Sequence, residues 1–165
     1  MSYYKAMNSW VLSGFGGERD AFTIIDDVSS YGLDGVELTI GDCVPFDVTQ
    51  AQCEKIKAHA AQKNVGIRSV ATGYFWGNAL SGTDAPKRAE AVATAKTYLK
   101  IANWLGAEHA LVIPGVVKAE WDPDCPVVSY QTVWENATDS IQQLLPLADE
   151  LGVNLCLENV WNKFL

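Results

Sequence analysis

At 165 residues the chain has the length of one domain, and 48% hydrophobic with 19% charged residues is ordinary globular composition with material for a sizeable core. A formal net charge of −8 leaves no basic footprint, which argues against a nucleic-acid partner. No apolar run approaches the ~20 residues of a membrane-spanning helix. The cysteines Cys43, Cys53, Cys125 and Cys156 show no C-x-x-C spacing, and Met1-Ser2-Tyr3-Tyr4-Lys5 has neither a basic nor an apolar targeting region, so a reduced, cytoplasmic protein is expected.

In chain order, the first strand is expected over about Lys5–Trp10. The glycine-rich segment Ser13–Glu18 that follows fails the G-x-G-x-x-G dinucleotide fingerprint because Arg19 stands where the third glycine belongs. Helices are expected at about Asp20–Tyr31 and Thr49–Lys63, with strands in Gly35–Leu38 and Val65–Val70. A long helix spans residues 81–105, opening on Asp84-Ala85-Pro86 and placing Ala89, Val92, Leu99 and Ala102 on one stripe. After Leu105-Gly106 comes an apolar strand ending at Val112-Ile113. A last helix carries Val133, Ala137, Ile141, Leu144, Ala148 and Leu151 at spacings of three and four, with Pro146 as a kink.

The recurring unit is a helix, a glycine and a short apolar strand, at intervals of roughly 35–45 residues, which calls for parallel strands joined by crossover helices. The glycines suit the left-handed position just past a helix end. The pattern predicts α/β architecture with about five parallel strands and four helices, in an open doubly wound sheet or part of a closed barrel. The fifth strand, Gly152–Leu157, reads as apolar on both faces and delivers Glu158 to its C-terminal tip, where such proteins place their chemistry. On spacing alone, Glu158 serves equally as a carboxylate that caps a loop or pairs with Lys163.

Two stretches carry a family resemblance. Residues Leu80–Gly115, with Asp84-Ala85-Pro86, Leu105-Gly106-Ala107 and Val112-Ile113-Pro114-Gly115, resemble the xylose isomerase-like TIM-barrel superfamily of sugar isomerases and epimerases. Leu147–Val153 followed by Glu158-Asn159-Val160-Trp161-Asn162-Lys163-Phe164 is similar to the fifth-strand region of its sugar-phosphate isomerase/epimerase branches. The resemblance implies a partial (βα)8 TIM barrel, residues 1–165 forming its N-terminal portion as a single domain. It also implies that Glu158 binds a divalent metal (Mn, Mg, Co or Zn) and acts as acid/base. In such relatives the remaining ligands come from strands six, seven and eight, so this chain alone is expected to lack a complete site and activity. The ending Asn162-Lys163-Phe164-Leu165 departs from the Asn-Arg-Phe-Glu of tagatose- and psicose-type epimerases.

Other positions offer contacts rather than chemistry. Glu37, read as ending the second strand, lines a pocket or forms a surface salt bridge. Trp10, Trp76 and Trp161 stand beside strand tips as walls for a sugar face, against packing in the core, and Tyr74 and Phe75 share that choice. Lys163 meets a substrate phosphate or is solvated. His59 and His109 are read as structural or solvent-facing, and Cys156 as a small core residue. The function expected from the resemblance is divalent-metal-dependent isomerisation or epimerisation of a sugar or sugar phosphate through an enediolate. The alternatives are a catalytically silent half-barrel for sugar binding or self-association, and an inosose dehydratase-like lyase. The partners expected are a small sugar and a second copy of the chain in a homo-oligomer, with neither nucleic acid nor membrane.

Overall fold

Five short strands form where an apolar run follows a turn: β1 (Ala6–Asn8), β2 (Gly35–Thr39), β3 (Gly66–Ala71), β4 (His109–Val112) and β5 (Asn154–Leu157). In the computed structural model, which describes residues 3–165, they make one parallel sheet in the order β1-β2-β3-β4-β5. Each strand pairs with its neighbour in sequence, as in the successive units of a (βα)8 barrel. The open-sheet alternative, whose strand order reverses at a switch point, is not what forms.

The predicted helices appear as α2 (Ala21–Ser30), α3 (Gln50–Gln62) and α5 (Ala85–Leu105), but the last one is split into α6 (Tyr130–Gln142) and α7 (Leu145–Leu151). Pro146 lies in the first turn of α7. Having no N–H to give to a carbonyl four residues back, it starts a helix more readily than it continues one. Two further single-turn helices, α1 (Trp10–Ser13) and α4 (Tyr74–Gly77), sit in the loops after β1 and β3. The four expected crossover helices are thus present, one of them in two pieces, and with the two single turns the described residues hold seven helical segments. Thr49 and Gln52 form a reciprocal capping box on α3, and the side chain of Asp84 accepts the Lys87 N–H on α5. Gly106 and Gly152 close α5 and α7 in the left-handed conformation, at φ 80° and 65°.

The core lies between one face of the sheet and the helices. Val36, Leu38, Val70, Ala110 and Val112 meet Ile24, Ile25, Leu99 and Ala102, all buried. Tyr98 of α5 reaches through this layer, its hydroxyl within 2.7 Å of the Val70 carbonyl and 3.0 Å of that of Leu111. The other face is open. In register across it stand Asn8, Glu37, Ser69, His109 and Asn154, none of them fully buried.

Two strand readings need correction. β5 is not apolar and covered on both faces: Asn154, Cys156 and Leu157 are exposed. It pairs only with β4, and alternation puts Cys156 on the open face with Asn154, so this cysteine is not a core residue. Glu37 does not end β2, which runs on to Thr39, and its carboxylate sits deeper on the open face.

Candidate functional site

Parallel topology brings all five strand tips to one rim, and the loops there carry the candidate residues. At the tip of β1, the buried Ser9 hydroxyl lies 2.7 Å from that of Thr39, stitching the first two tips together. The chain then turns into α1, so Trp10 begins a helix rather than extending a strand. Its indole Nε1 donates to Asp42 Oδ2 at 2.7 Å, and the Gly16 N–H donates to the same oxygen at 3.3 Å. Phe15 rests against the Trp10 ring with centroids 4.6 Å apart. Asp42 thus ties the β1 loop to the β2 loop, while its Oδ1 receives no hydrogen bond from another described residue.

Beyond β3, α4 buries Phe75 and leaves Trp76 half-exposed. Trp76 meets Trp121 edge-on at 4.8 Å and Trp161 at 5.9 Å, and Trp121 and Trp161 are 6.1 Å apart. The three indoles come from the loops after β3, β4 and β5. With Phe15, Asp42 and Gly73 they line an open cavity of about 590 Å³, inside the usual size range of small-molecule sites.

Glu158 stands at the end of β5, where its N–H donates to the Val112 carbonyl at 3.0 Å and continues the ladder one residue beyond the strand. Its side chain is exposed and takes no hydrogen bond from another described residue. The turn after it is fixed by the buried Asn162, whose Nδ2 donates to the Gly115 carbonyl at 2.7 Å and whose Oδ1 accepts the Phe164 N–H at 3.1 Å. Val117 and Lys118 both donate backbone N–H groups to the Asn162 carbonyl. Phe164 packs on Val133 and Ala137 of α6. This anchoring presents Trp161, which is 73% exposed, at the rim.

The predicted residues therefore divide. Trp76 and Trp161 line the cavity, and Trp10 supports it through Asp42, whereas Glu158, Glu37 and Lys163 do not line it. Glu37 accepts a hydrogen bond from Asn8 Nδ2 at 2.7 Å rather than joining a salt bridge among the described residues. Lys163 pairs with Glu120, not with Glu158. His59 is remote, on α3 beside Asp26 and Phe22. His109 belongs to β4 itself and lies beside Asn154 on the open face. Trp121 and Asp42 are the residues that sequence reading misses. Beyond lying in loops that follow strands, they carry no signal in the local sequence.

A divalent ion of the Mg²⁺ or Mn²⁺ type takes about six oxygen ligands. Among the described residues no three of His, Cys, Asp and Glu gather in a way that would hold one. The donor set here does not by itself fit the implied metal, and Glu158 offers at most one ligand.

A family model described as the xylose isomerase-like TIM barrel matches residues 25–165. The chain belongs to that family. Among solved structures, D-psicose 3-epimerase in the presence of D-fructose superposes with a TM-score of 0.74 at 20% identity, over 94% of this chain and 52% of that one. The D-psicose 3-epimerase of Clostridium cellulolyticum H10 with D-tagatose gives 0.73 at 21% identity, over 94% and 52%. The 3-keto-D-glucoside 4-epimerase of E. coli gives 0.73 at 14%, over 97% and 57%. At these identities the likeness concerns the fold, and the chain spans about half the length of these structures. No curated protein sequence matches it.

Proposed function

We propose that this chain forms the first four strand–helix units and the fifth strand of a sugar isomerase or epimerase, with Glu158 moving the proton next to the sugar carbonyl. The observation that supports this most directly is an exposed carboxylate at the C-terminal tip of β5, three residues before an indole of the rim cavity. Such a reaction needs a base within hydrogen-bond reach of the α-carbon proton, and a group that stabilises the enediolate oxygen as charge develops. Glu158 is assigned the first role because its side chain takes no hydrogen bond from another described residue and its backbone is held by the β4 ladder. The second need falls to groups beyond those gathered here, a divalent ion included, so no step is assigned to one. An inosose dehydratase-like lyase starts from the same proton abstraction and shares this assignment for Glu158.

The test is deuterium incorporation from D₂O next to the carbonyl of D-fructose or D-psicose, followed by NMR. It applies to any natural polypeptide that contains this chain within a complete barrel. Glu158→Gln is expected to lower exchange by at least ~10²-fold, and full exchange in that variant would end the assignment. The 165-residue chain alone is expected to stay below ~1 s⁻¹ with Mn²⁺, Mg²⁺ or Co²⁺ supplied.

A further inference from the structure

The geometry points to a substrate class: the rim cavity takes an uncharged polyhydroxylated sugar, with Asp42 as the residue that recognises its hydroxyls, and it disfavours a sugar phosphate. This rests on the sugar-enzyme reading above and narrows it. Among the described residues, Asp42 is the one charged side chain lining the cavity. Both of its bonds from the protein, from Trp10 Nε1 and the Gly16 N–H, fall on Oδ2. The carboxylate is thereby fixed in place while Oδ1 remains available to accept, which suits a sugar hydroxyl donating to it. Trp76, Trp121 and Trp161 add indole surface to the same cavity, and the C–H face of a sugar ring matches such a surface.

A phosphate dianion needs cations or a concave nest of backbone N–H groups. The nearby cations are otherwise engaged. Lys163 pairs with Glu120. Lys118 Nζ donates to the carbonyls of Asp122 and Cys125 at 3.1 and 2.7 Å. Arg19 pairs with Asp27 and also donates to the Leu12 carbonyl. A dianion entering this cavity would meet Asp42 with no cation lining the wall among the described residues.

Indoles lining the cavity give the readout, since a bound ligand alters their fluorescence without any turnover. The 165-residue chain is titrated with D-fructose and with D-fructose 6-phosphate. D-Fructose is expected to change the emission saturably and to bind at least tenfold more tightly than its phosphate, and Asp42→Asn to weaken D-fructose at least tenfold. Because Asp42 also tethers two loops, circular dichroism of the variant checks its fold. Trp121→Ala, on an exposed loop, gives a second route and is also expected to weaken D-fructose at least tenfold. Equal or tighter binding of the phosphate would overturn the inference while leaving the isomerase reading intact. So would unaltered D-fructose affinity in a folded Asp42→Asn protein, or an emission that neither sugar changes. Loss of the isomerase reading shows instead in the proton-exchange experiment on Glu158.

Discussion

Asn162 shows what one side chain contributes to this rim. Its amide satisfies a carbonyl of the β4 loop and an N–H of its own turn, both in a buried setting. Removing it strands both partners, so Asn162→Ala is expected to cost ~1–3 kcal/mol in urea unfolding and to loosen Trp161. The cysteines divide just as sharply. Burial, followed by the neighbouring Glu54 carboxylate, pushes the Cys53 thiol up to about 11, and burial also raises Cys43, whereas Cys156 is exposed. Thiolate is the reactive form, so a disulfide reagent at pH 8 is expected to label Cys156 first and Cys43 and Cys53 only on unfolding. Rapid labelling of Cys53 in the native protein would contradict its placement. At this scale the sequence reading found Trp76 and Trp161 because each stands within a few residues of a strand tip. Trp121 sits deep in the long β4 loop, and Asp42 is held at the cavity wall by the indole of Trp10, which is 32 residues away in sequence. Neither relation has a local signature. Cys156 was misjudged because an apolar run does not tell which face stays uncovered.

Among the elements, α2 carries a clear dependence on pH. Asp20 accepts the Phe22 and Thr23 N–H groups, and bonds from the Thr23 hydroxyl and then its N–H hold the carboxyl below its ordinary value. A carboxyl depressed on folding stabilises the protein above its unfolded value, and that contribution fades as pH falls through the folded one. Helix α2 is thus expected to loosen below about pH 4. Asp20→Asn should keep the cap and lose this dependence, while Asp20→Ala should cost ~0.5–2 kcal/mol at neutral pH. Thermal melts of the three proteins across pH 3–7 distinguish these outcomes. Helix α5 was legible from its cap, its proline and its stripe, and β2 to β4 from the glycine or turn before each. The single turns α1 and α4 were not, since one turn has no period to read. Pro146 was seen, but whether a proline bends a helix or restarts it depends on tertiary packing: here the buried Leu144 occupies the joint.

For the whole molecule, the parallel arrangement is legible in the repeated helix-to-strand joints and the barrel class in the family resemblance, while the strand order β1-β2-β3-β4-β5 is what separates the barrel from the open sheet. In the described sheet β1 and β5 each pair on one side, and β5 exposes Asn154, Cys156 and Leu157. Open parallel edges with apolar flanks favour pairing with another copy. The 165-residue chain is expected to associate at micromolar concentration, and light scattering that gives one chain's mass without aggregation would refute this.

Strictly sequential strand order also governs how the sheet is assembled in time. For β2 to β5, a partner has already been made when the strand emerges from the ribosome, because β2 seeks β1, β3 seeks β2, and so on to β5. From β1 to β5 the order is suited to vectorial growth, in which each new strand docks onto an edge already formed. Loop closure at each step spans one crossover only, which keeps the entropic cost of every pairing at its smallest for a parallel sheet.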